Sequence, residues 1–563
     1  MRYLYLFLAL VTGVAGVAAR VELRRQGTAV QLTVDGRPWT VLGGELGNST
    51  ASSVASIREV MPRLRAMNLN TVLVPVYWDM TEPQEGEYDF TLIDATLEAA
   101  RANDLKVILL WFGAWKNSMS CYAPLWFKEN YRKYPRAMTA QGKPLEIASV
   151  FSDDVYRADL RALQAWASHV AAADTAHTAL MIQIENEIGM LENARDHSAA
   201  ADKAYAAGVP RELTGHLRKH REDLHPRLRE RWESHGSRME GSWDEVFGAG
   251  DETDEYFMAW YYANYAGRLG AEAKRLTGLP VYVNAALNSR GRRPGEYPSA
   301  GPLAHLKDIW HAAAPSIDML SPDIYDSGFR GWTAQYHTAD NPLFIPEIRR
   351  EAANGAQAYY VLGEHDAIGI SPFSVENSPA SPQYATTRGY AALRELQPLI
   401  AAHQGRGTMR GVYLDADSTE LVIADEGLRI TVSHYFTLPW DPRARDGSPW
   451  PAAGGVIIRL APDEYIVAGT GLVVKFEDPA EVSAARALGE DGFAAAGGAA
   501  GAESRWQGKT RVGLGPVRAV RVEPDGSLTE LRRYNGDETH QGRHVRIGVD
   551  DFETLHVKLY RYK

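Results

Sequence analysis

Eight short apolar segments, most of them followed by a stretch with helical spacing, constrain the fold of roughly the first 400 residues. Parallel strands need this alternation, because each connection must return to the starting end of the sheet, usually through a helix. Eight such units match an α/β fold, the (β/α)8 TIM barrel, with insertions. The predicted strands are 39–46, 71–76, 106–112, 178–184, 281–285, 317–325, 343–347 and 367–373.

A doubly wound open sheet is the alternative α/β fold. Such a sheet binds phosphates through a glycine-rich loop after its first strand, with the spacing Gly-x-Gly-x-x-Gly. The first strand here runs into Gly43-Gly44-Glu45-Leu46-Gly47, which lacks that spacing. The sequence therefore favours the closed barrel.

From about residue 404 the pattern changes to short strands of alternating polar and apolar residues. Turn signals such as Asp525-Gly526 and Asn535-Gly536 separate some of these strands. This pattern is typical of an all-β, sandwich-like domain. We therefore expect a catalytic barrel at 20–403, with a charged helical insertion at about 191–254, and a smaller β-rich domain at 404–563.

The N-terminal residues predict export. Met1-Arg2 is followed by an apolar run and then by Ala18-Ala19-Arg20, the pattern of a secretory signal peptide over residues 1–19. The alternative is an uncleaved membrane anchor, for which the apolar run is short. After cleavage we expect a periplasmic or extracellular protein with no membrane partner. Cys121 is the only cysteine, so no internal disulfide is expected.

The charge of the chain argues against one class of partner. The formal net charge is −11, whereas a nucleic-acid-binding protein needs a basic face. Acids lie between the bases of the charged insertion, which indicates exposed helices more than a basic binding surface. A neutral carbohydrate partner is compatible with this charge, and Trp and Tyr rings can stack on the apolar faces of sugars.

The fourth predicted strand ends in Glu185-Asn186-Glu187, two carboxylates on either side of an amide. Charged side chains are rarely buried without a partner, so this ending indicates a functional site. In a barrel, catalytic groups lie at the carboxyl ends of the strands. The predicted strand ends contribute carboxylates, amides and aromatic rings: Glu45, Trp78, Trp115, Asn117, Asn186, Glu187, Asn284, Tyr325, Glu347 and Phe373.

This set of strand ends favours glycoside hydrolysis. That reaction needs one acid to protonate the leaving oxygen and a second carboxylate to attack the anomeric carbon or to activate water. Trp78, Trp115, Asn117 and Glu45 are the candidates for binding the sugar. The chain has no Gly-x-Ser-x-Gly elbow and no histidine–carboxylate cluster with metal-ligand spacing, so neither a metal nor a cofactor is expected.

Two motifs resemble glycoside hydrolase family 35, the β-galactosidases of clan A. Residues 183–189, Gln-Ile-Glu-Asn-Glu-Ile-Gly, are similar to the family's Gln-Val-Glu-Asn-Glu-Tyr-Gly. Residues 78–90 are similar to its Trp-Asn-x-His-Glu-Pro-x-x-Gly-x-Tyr-Asp-Phe. The resemblance covers the barrel, and the C-terminal domain is similar to the β-rich extension of one bacterial branch of the family.

The resemblance implies roles for four residues. Glu187 would be the general acid/base and Glu347 the nucleophile of a retaining reaction, with about 5–5.5 Å between their carboxylates. Asn186 would hold the 2-hydroxyl of the sugar, and Tyr325 would lie near the nucleophile. Glu185 shares a face with Glu187 if the strand is regular, so it either raises the pKa of Glu187 or is a structural acid.

The third predicted strand departs from the family pattern. Known members have Ala-Glu-Trp there, where the Glu helps to recognise galactose, whereas this chain reads Gly113-Ala114-Trp115. We expect an exo-acting, retaining β-galactosidase, with xyloglucan side chains as the favoured substrate. The alternatives are another clan A glycosidase, such as an endo-β-glucanase or an arabinosidase, and a non-catalytic carbohydrate-binding protein.

Overall fold

A computed structural model describes residues 20–288, 291–438, 440–480 and 510–563. The predicted signal peptide at 1–19 lies outside these residues. The described part contains a small N-terminal antiparallel sheet, a closed barrel and two larger antiparallel sheets. The N-terminal sheet consists of Val21–Gln26, Ala29–Val34 and Arg37–Pro38.

Eight parallel strands close in chain order, which confirms the predicted barrel. Their apolar runs are buried because helices cover the outer face of the barrel while side chains fill its interior. The strands are β1 (Val41–Glu45), β2 (Thr71–Tyr77), β3 (Lys106–Lys116), β4 (Ala179–Asn186), β5 (Val281–Ala286), β6 (Met319–Ile324), β7 (Phe344–Ile348) and β8 (Gly369–Pro372). β1 pairs with both β2 and β8 and thereby closes the barrel.

Helices connect the strands and surround the barrel. They are α1 (Val54–Ala66), α2 (Trp78–Thr81), α3 (Thr91–Ala102), α4 (Leu125–Glu129), α5 (Asp153–Ala173), α6 (Ala199–Ala206), α7 (Arg211–Lys219), α8 (Pro226–Ser234), α9 (Trp243–Phe247), α10 (Asp251–Thr277), α11 (Lys307–Ala313), α12 (Phe329–Tyr336), α13 (Asn354–Glu364) and α14 (Ala385–His403). Ser53 and Ser152 cap the N-termini of α1 and α5, and Gly278 ends α10 in the left-handed conformation. Among the described helices, none combines the length and the apolar character that a membrane crossing requires.

The charged segment between β4 and β5 forms the short helices α6 to α9 ahead of the long helix α10. Many of its arginines pair with acids of the same segment or of α10. Arg227 and Arg231 bind Glu252, and Arg221 binds Glu233. The interleaved charges therefore neutralise one another along this segment.

The C-terminal strands form two antiparallel sheets around a core of their own. The six-stranded sheet has the order β9 (Met409–Leu414), β12 (Ala453–Ala461), β13 (Glu464–Thr470), β18 (Glu553–Tyr562), β15 (Arg511–Val522) and β16 (Leu528–Tyr534). The four-stranded sheet has the order β10 (Glu420–Asp425), β11 (Leu428–His434), β14 (Leu472–Glu477) and β17 (Val545–Ile547). This arrangement agrees with the predicted all-β, sandwich-like fold.

The six-stranded sheet uses its second face to pack on the barrel. Ile457 points into the C-terminal core, whereas its neighbours Val456 and Ile458 belong to the barrel core. Glycine permits the close approach, since a Cβ on Gly411 would lie 2.4 Å from the carbonyl oxygen of Tyr360 in α13. The C-terminal sheets are thus attached beside α13, the helix that follows β7.

Candidate active site

Five ionisable side chains meet at the carboxyl ends of the barrel strands, and we call them the central cluster. Glu45 ends β1, Lys116 ends β3, Glu187 follows β4, Asp323 lies near the end of β6 and Glu347 near the end of β7. None of the five is more than 5% exposed. Charged groups buried this deeply need one another or a ligand, so the cluster marks the candidate active site.

The two predicted catalytic carboxylates lie close together. Carboxylate oxygens of Glu187, Glu347 and Asp323 all lie within 4.8 Å of one another. The Tyr325 hydroxyl donates a hydrogen bond to Glu347 Oε1, and the Asn117 side-chain amide donates to Glu187 Oε2. An oxygen–oxygen approach within this limit is compatible with the ~5–5.5 Å between carboxyl groups that is typical of retaining enzymes.

Two asparagines tie the end of β4 to its neighbours. Asn284 on β5 accepts a hydrogen bond from the backbone N–H of Glu187 at 2.9 Å and donates to Asp323 Oδ2 at 2.7 Å. It also donates to Asn186 Oδ1 at 3.2 Å, which orients the Asn186 amide. Asn186 Nδ2 is buried and has no protein acceptor, so it can donate to a ligand hydroxyl.

Glu185 and Glu187 do not share a face. Both have positive φ, 57° and 47°, so the alternation of a regular strand is lost between them. Glu185 Oε2 accepts a hydrogen bond from the backbone N–H of Trp115 at 2.7 Å. Burial and the charge of Asp159 on α5 raise the pKa of Glu185 well above its ordinary value. Glu185 therefore lies on the helix side of the barrel wall, in the position of a structural acid.

Trp115, which the sequence predicts as a sugar-binding residue, points towards the helices that surround the barrel. A register shift interrupts the pairing of β3 with β4 between Trp111 and Lys116 and changes the direction in which the side chains point. The Trp115 ring is fully buried and packs edge-on against Tyr262 and Tyr265 of α10. It belongs to the packing between the barrel and its helices.

Trp78, the second tryptophan predicted to bind the sugar, likewise packs in the core. Its ring is fully buried against Phe127, and its indole N–H donates to Glu82 Oε2 at 2.9 Å. Glu82 Oε1 in turn accepts a hydrogen bond from the backbone N–H of Gly86 at 2.8 Å. Because Trp78 begins a helix instead of extending β2, this motif organises the turn after the strand.

Glu45, a predicted substrate-binding residue, belongs to the central cluster. It is completely buried, and neither of its carboxylate oxygens has a protein hydrogen-bond partner. Burial and the charge of Glu347 raise the pKa of Glu45 well above its ordinary value. A buried carboxyl with two free oxygens is available to accept hydrogen bonds from sugar hydroxyls.

Lys116 is a site residue that the sequence patterns do not indicate. Burial alone would lower the pKa of Lys116, but Glu347, Glu187, Glu45 and Asp323 raise it, so the ammonium stays charged. The only sequence signal is its position directly before Asn117 at a strand end. Because the register shift in β3 breaks the alternation of side chains, the sequence does not show to which face of the strand Lys116 points.

Asp323 is also missing from the predicted set, although its position was accessible from the sequence. It lies two residues before Tyr325, and residues i and i+2 of a strand share a face. Burial and the charges of Glu347 and Glu187 raise the pKa of Asp323 well above its ordinary value.

The Glu347 carboxyl titrates near neutral pH. Burial and the neighbouring Glu187 raise the pKa of Glu347 to about 7, while Lys116 and the Tyr325 hydroxyl act in the opposite direction. Burial also raises the pKa of Glu187. Two adjacent carboxyl groups in such surroundings hold one proton between them over part of the neutral range, the state that glycoside hydrolysis uses.

The three carboxylates nearest one another, Glu187, Asp323 and Glu347, have the geometry to hold a cation. Hard cations such as Ca²⁺ and Mg²⁺ take oxygen ligands from carboxylates and from water. The Lys116 ammonium also places a positive charge in the same cluster. The arrangement therefore suits proton transfer better than cation binding.

Comparisons with known proteins find similarity to beta-galactosidases. Residues 50–248 match the model of glycoside hydrolase family 42, described as beta-galactosidase, and residues 386–546 match a domain of unknown function, DUF5597. A beta-galactosidase of Xanthomonas manihotis is 34% identical over 111 residues, which cover 18% of this chain and 18% of that protein. The chain thus matches less than a fifth of the length of that curated relative.

Solved structures of beta-galactosidases are similar to the chain over about two thirds of its length. The enzyme of the psychrophilic Marinomonas ef1 is 14% identical, with a TM-score of 0.44 over 64% of this chain and 60% of its own. The enzyme of Bacillus circulans sp. alkalophilus is 18% identical, with a TM-score of 0.42 over 64% of this chain and 56% of its own.

The family match and the sequence motifs point to two different families of glycoside hydrolases. The matching model is that of family 42, whereas the motifs at 78–90 and 183–189 resemble family 35. Within the barrel, residues 50–248 are thus similar to a family of glycoside hydrolases described as beta-galactosidases.

Proposed function

We propose that this protein is an exported, exo-acting, retaining β-galactosidase. The observation that carries the proposal is the approach of Glu187 and Glu347 to within 4.8 Å in the mouth of the barrel. The beta-galactosidase description of the model matched by residues 50–248 supports galactose as the sugar. The motifs that resemble family 35 support the same sugar.

In the first step, a carboxylate oxygen of Glu347 forms a bond to the anomeric carbon while the bond from that carbon to the leaving oxygen breaks. Glu187 gives its proton to the leaving oxygen, which departs as an alcohol. Asn186 Nδ2 is free to hold the 2-hydroxyl, and the Tyr325 hydroxyl stabilises the charge of Glu347. The products of this step are a glycosyl-enzyme ester and an ionised Glu187.

In the second step, Glu187 removes a proton from a water molecule, which attacks the anomeric carbon as the ester bond to Glu347 breaks. Esterification of Glu347 removes a nearby negative charge, so the pKa of Glu187 falls and the group becomes able to act as a base. Two inversions at one carbon give a product with the configuration of the substrate.

Galactose on the side chains of xyloglucan is the substrate that we favour. The basis is the resemblance to a bacterial branch of family 35 with a β-rich extension, and an exported enzyme would meet such polysaccharides. The recognition Glu of that family is absent from β3, where the chain reads Gly113-Ala114-Trp115. Buried Glu45 and Lys116 supply polar contacts for the sugar in its place.

A panel of nitrophenyl glycosides tests the proposal. The β-galactoside should give the highest kcat/KM, ahead of the β-glucoside and the α-arabinoside, and NMR should detect β-galactose as the first product. Preference for the glucoside or the arabinoside would favour another clan A glycosidase. Failure to hydrolyse any member, with the Glu347→Ala variant indistinguishable from the wild type, would favour a carbohydrate-binding protein.

A further inference from the structure

A groove at the carboxyl ends of β6 and β7 is built jointly by the barrel and the C-terminal sheets. Its volume is about 560 Å³, within the ~300–1,000 Å³ range of ligand sites. On the barrel side it begins at Tyr325, whose hydroxyl donates to Glu347. On the opposite side it is lined by Tyr413 and Asp415, at the end of β9. We call it the interdomain groove.

Aromatic packing fixes the Tyr413 side of the groove. The Tyr413 ring centroid lies 5.5 Å from that of Phe329 in α12 and 6.0 Å from that of Tyr360 in α13. Burial and the charges of Glu351 and Asp415 raise the pKa of Tyr413 to about 12. The hydroxyl therefore keeps its proton and can donate a hydrogen bond to a ligand.

Hydrogen bonds hold the two walls of the groove together. Arg330 Nη1 donates to the carbonyl oxygen of Tyr413 at 3.2 Å and to Ser418 Oγ at 2.8 Å. Asp415 Oδ1 accepts hydrogen bonds from the backbone N–H groups of Asp417 and Ser418 at 3.0 and 2.8 Å. The C-terminal wall is thus preformed, which lowers the entropic cost of binding.

The remaining lining has the chemistry of a carbohydrate site. Arg349 is exposed, and its guanidinium donates to the backbone carbonyl of Tyr325. Glu351 accepts a hydrogen bond from Gln357 Nε2 at 3.1 Å. Donors, acceptors and a tyrosine together suit sugar hydroxyls, and the presence of both charge signs does not select an ionised ligand.

We propose that the interdomain groove binds the sugar units to which the cleaved galactose is attached. The inference rests on the proposed function and assigns a role to the segment that matches a domain of unknown function, because Tyr413 and Asp415 belong to residues 386–546. Tyr325 lines the groove and its hydroxyl contacts Glu347, so Tyr325 is the residue that the groove shares with the surroundings of the cluster. An aryl galactoside is too short to fill the groove.

A double variant, Tyr413→Phe with Asp415→Asn, tests this role. The phenyl ring preserves the packing on Phe329, and the amide oxygen preserves the turn at Ser418. We expect kcat/KM for a galactosylated xyloglucan oligosaccharide to fall about tenfold, mainly through KM, as the loss of two hydrogen bonds implies. The kcat/KM for nitrophenyl β-galactoside should stay within about twofold of the wild type.

Leu531→Ala is the matched control, because Leu531 is 61% exposed on β16 of the same sheets. It should change neither rate. Equal losses on both substrates in the double variant, or no loss on either, would overturn the groove assignment while leaving the proposed function intact. A wild-type enzyme that does not hydrolyse the aryl galactoside would instead overturn the proposed function.

Calorimetry provides a readout that does not depend on turnover. The oligosaccharide should bind to Glu347→Gln, and the same protein with Tyr413→Phe and Asp415→Asn should bind it about tenfold more weakly. Undiminished binding by the triple variant would show that the saccharide lies elsewhere.

Discussion

At the scale of single residues, Lys116 supplies the positive charge of the central cluster. The central cluster holds four carboxyl groups and one base, and burial favours the neutral form of each acid. The Lys116 charge opposes the rise in the pKa of both Glu187 and Glu347. It thereby keeps a fraction of Glu347 ionised near neutral pH, as a nucleophile must be.

Replacing Lys116 with methionine should move the acidic limb of the kcat/KM profile to higher pH. Lys116 lowers the pKa of Glu347, so without it that pKa rises above about 7 and less nucleophile is ionised at neutral pH. The profile would be measured with nitrophenyl β-galactoside. Lys133→Met, at a partly exposed lysine, serves as the control, and an acidic limb at the wild-type position in Lys116→Met would disprove the assigned role.

The role of Glu187 as general acid should be visible in how the kcat/KM of Glu187→Gln depends on the leaving group. Glu187→Gln should lower kcat/KM by about 10²–10⁴-fold for galactosides with alcohol leaving groups, which need a proton to depart. Dinitrophenyl galactoside, whose leaving group needs none, should lose far less in the first step. Glu192→Gln is the control at an exposed glutamate of the following loop. A uniform loss across all leaving groups would contradict the acid role of Glu187.

At the scale of secondary-structure elements, the ends of β3 and β4 depart from regular strand geometry. The strand interiors were predictable, because a short apolar run between two segments with helical spacing is most simply a buried strand. The side-chain directions at the strand ends were not, since a register shift reorients β3 and positive φ angles at Glu185 and Glu187 reorient β4. For this reason the sequence pattern predicts Trp115 as a sugar-binding residue and does not indicate Lys116.

Gly113→Ala should destabilise the protein by roughly 1–3 kcal/mol because this part of β3 has no room for a methyl group. An added Cβ would lie 2.4 Å from Trp111 Nε1 and 2.7 Å from Glu185 Oε1. Urea unfolding would measure the loss. The same change at Gly215 in α7 meets nothing within 4 Å and should be neutral or slightly stabilising. Equal stability of Gly113→Ala and the wild type would show that the network at Glu185 is adaptable.

At the scale of the whole molecule, the barrel and the C-terminal sheets form a continuous structure. The two fold types follow from the change of periodicity near residue 404, but their contact does not. It depends on which face of the six-stranded sheet meets α13, and alternation gives both faces apolar residues, such as Val456 and Ile457. The interdomain groove was therefore not predictable from the sequence.

The pH dependence of protein stability should reflect the raised pKa of buried Glu347. The pKa of Glu347 is raised from 4.5 to about 7, so its contribution to stability is present below about pH 4.5 and is lost as pH rises through about 7. Glu347→Gln should thus gain stability relative to the wild type as pH rises, by roughly 1–3 kcal/mol between about pH 5 and pH 8.

Thermal unfolding of both proteins across this range measures the difference. The comparison cancels the titration of histidines, which the two proteins share. Glu59→Gln, at an exposed glutamate of α1, controls for the loss of a surface carboxylate. A difference between Glu347→Gln and the wild type that stays constant with pH would contradict the raised pKa of Glu347.

Covalent trapping tests the central claim most directly. A 2-deoxy-2-fluoro-β-galactoside with an activated leaving group should form the glycosyl-enzyme faster than water releases it, because the fluorine slows both steps and the leaving group restores only the first. Mass spectrometry of the treated protein should show the added mass of one sugar, and peptide mapping should place it on Glu347. A protein that remains unlabelled while it turns over galactosides, or a label on Glu187 or Glu45, would contradict this account.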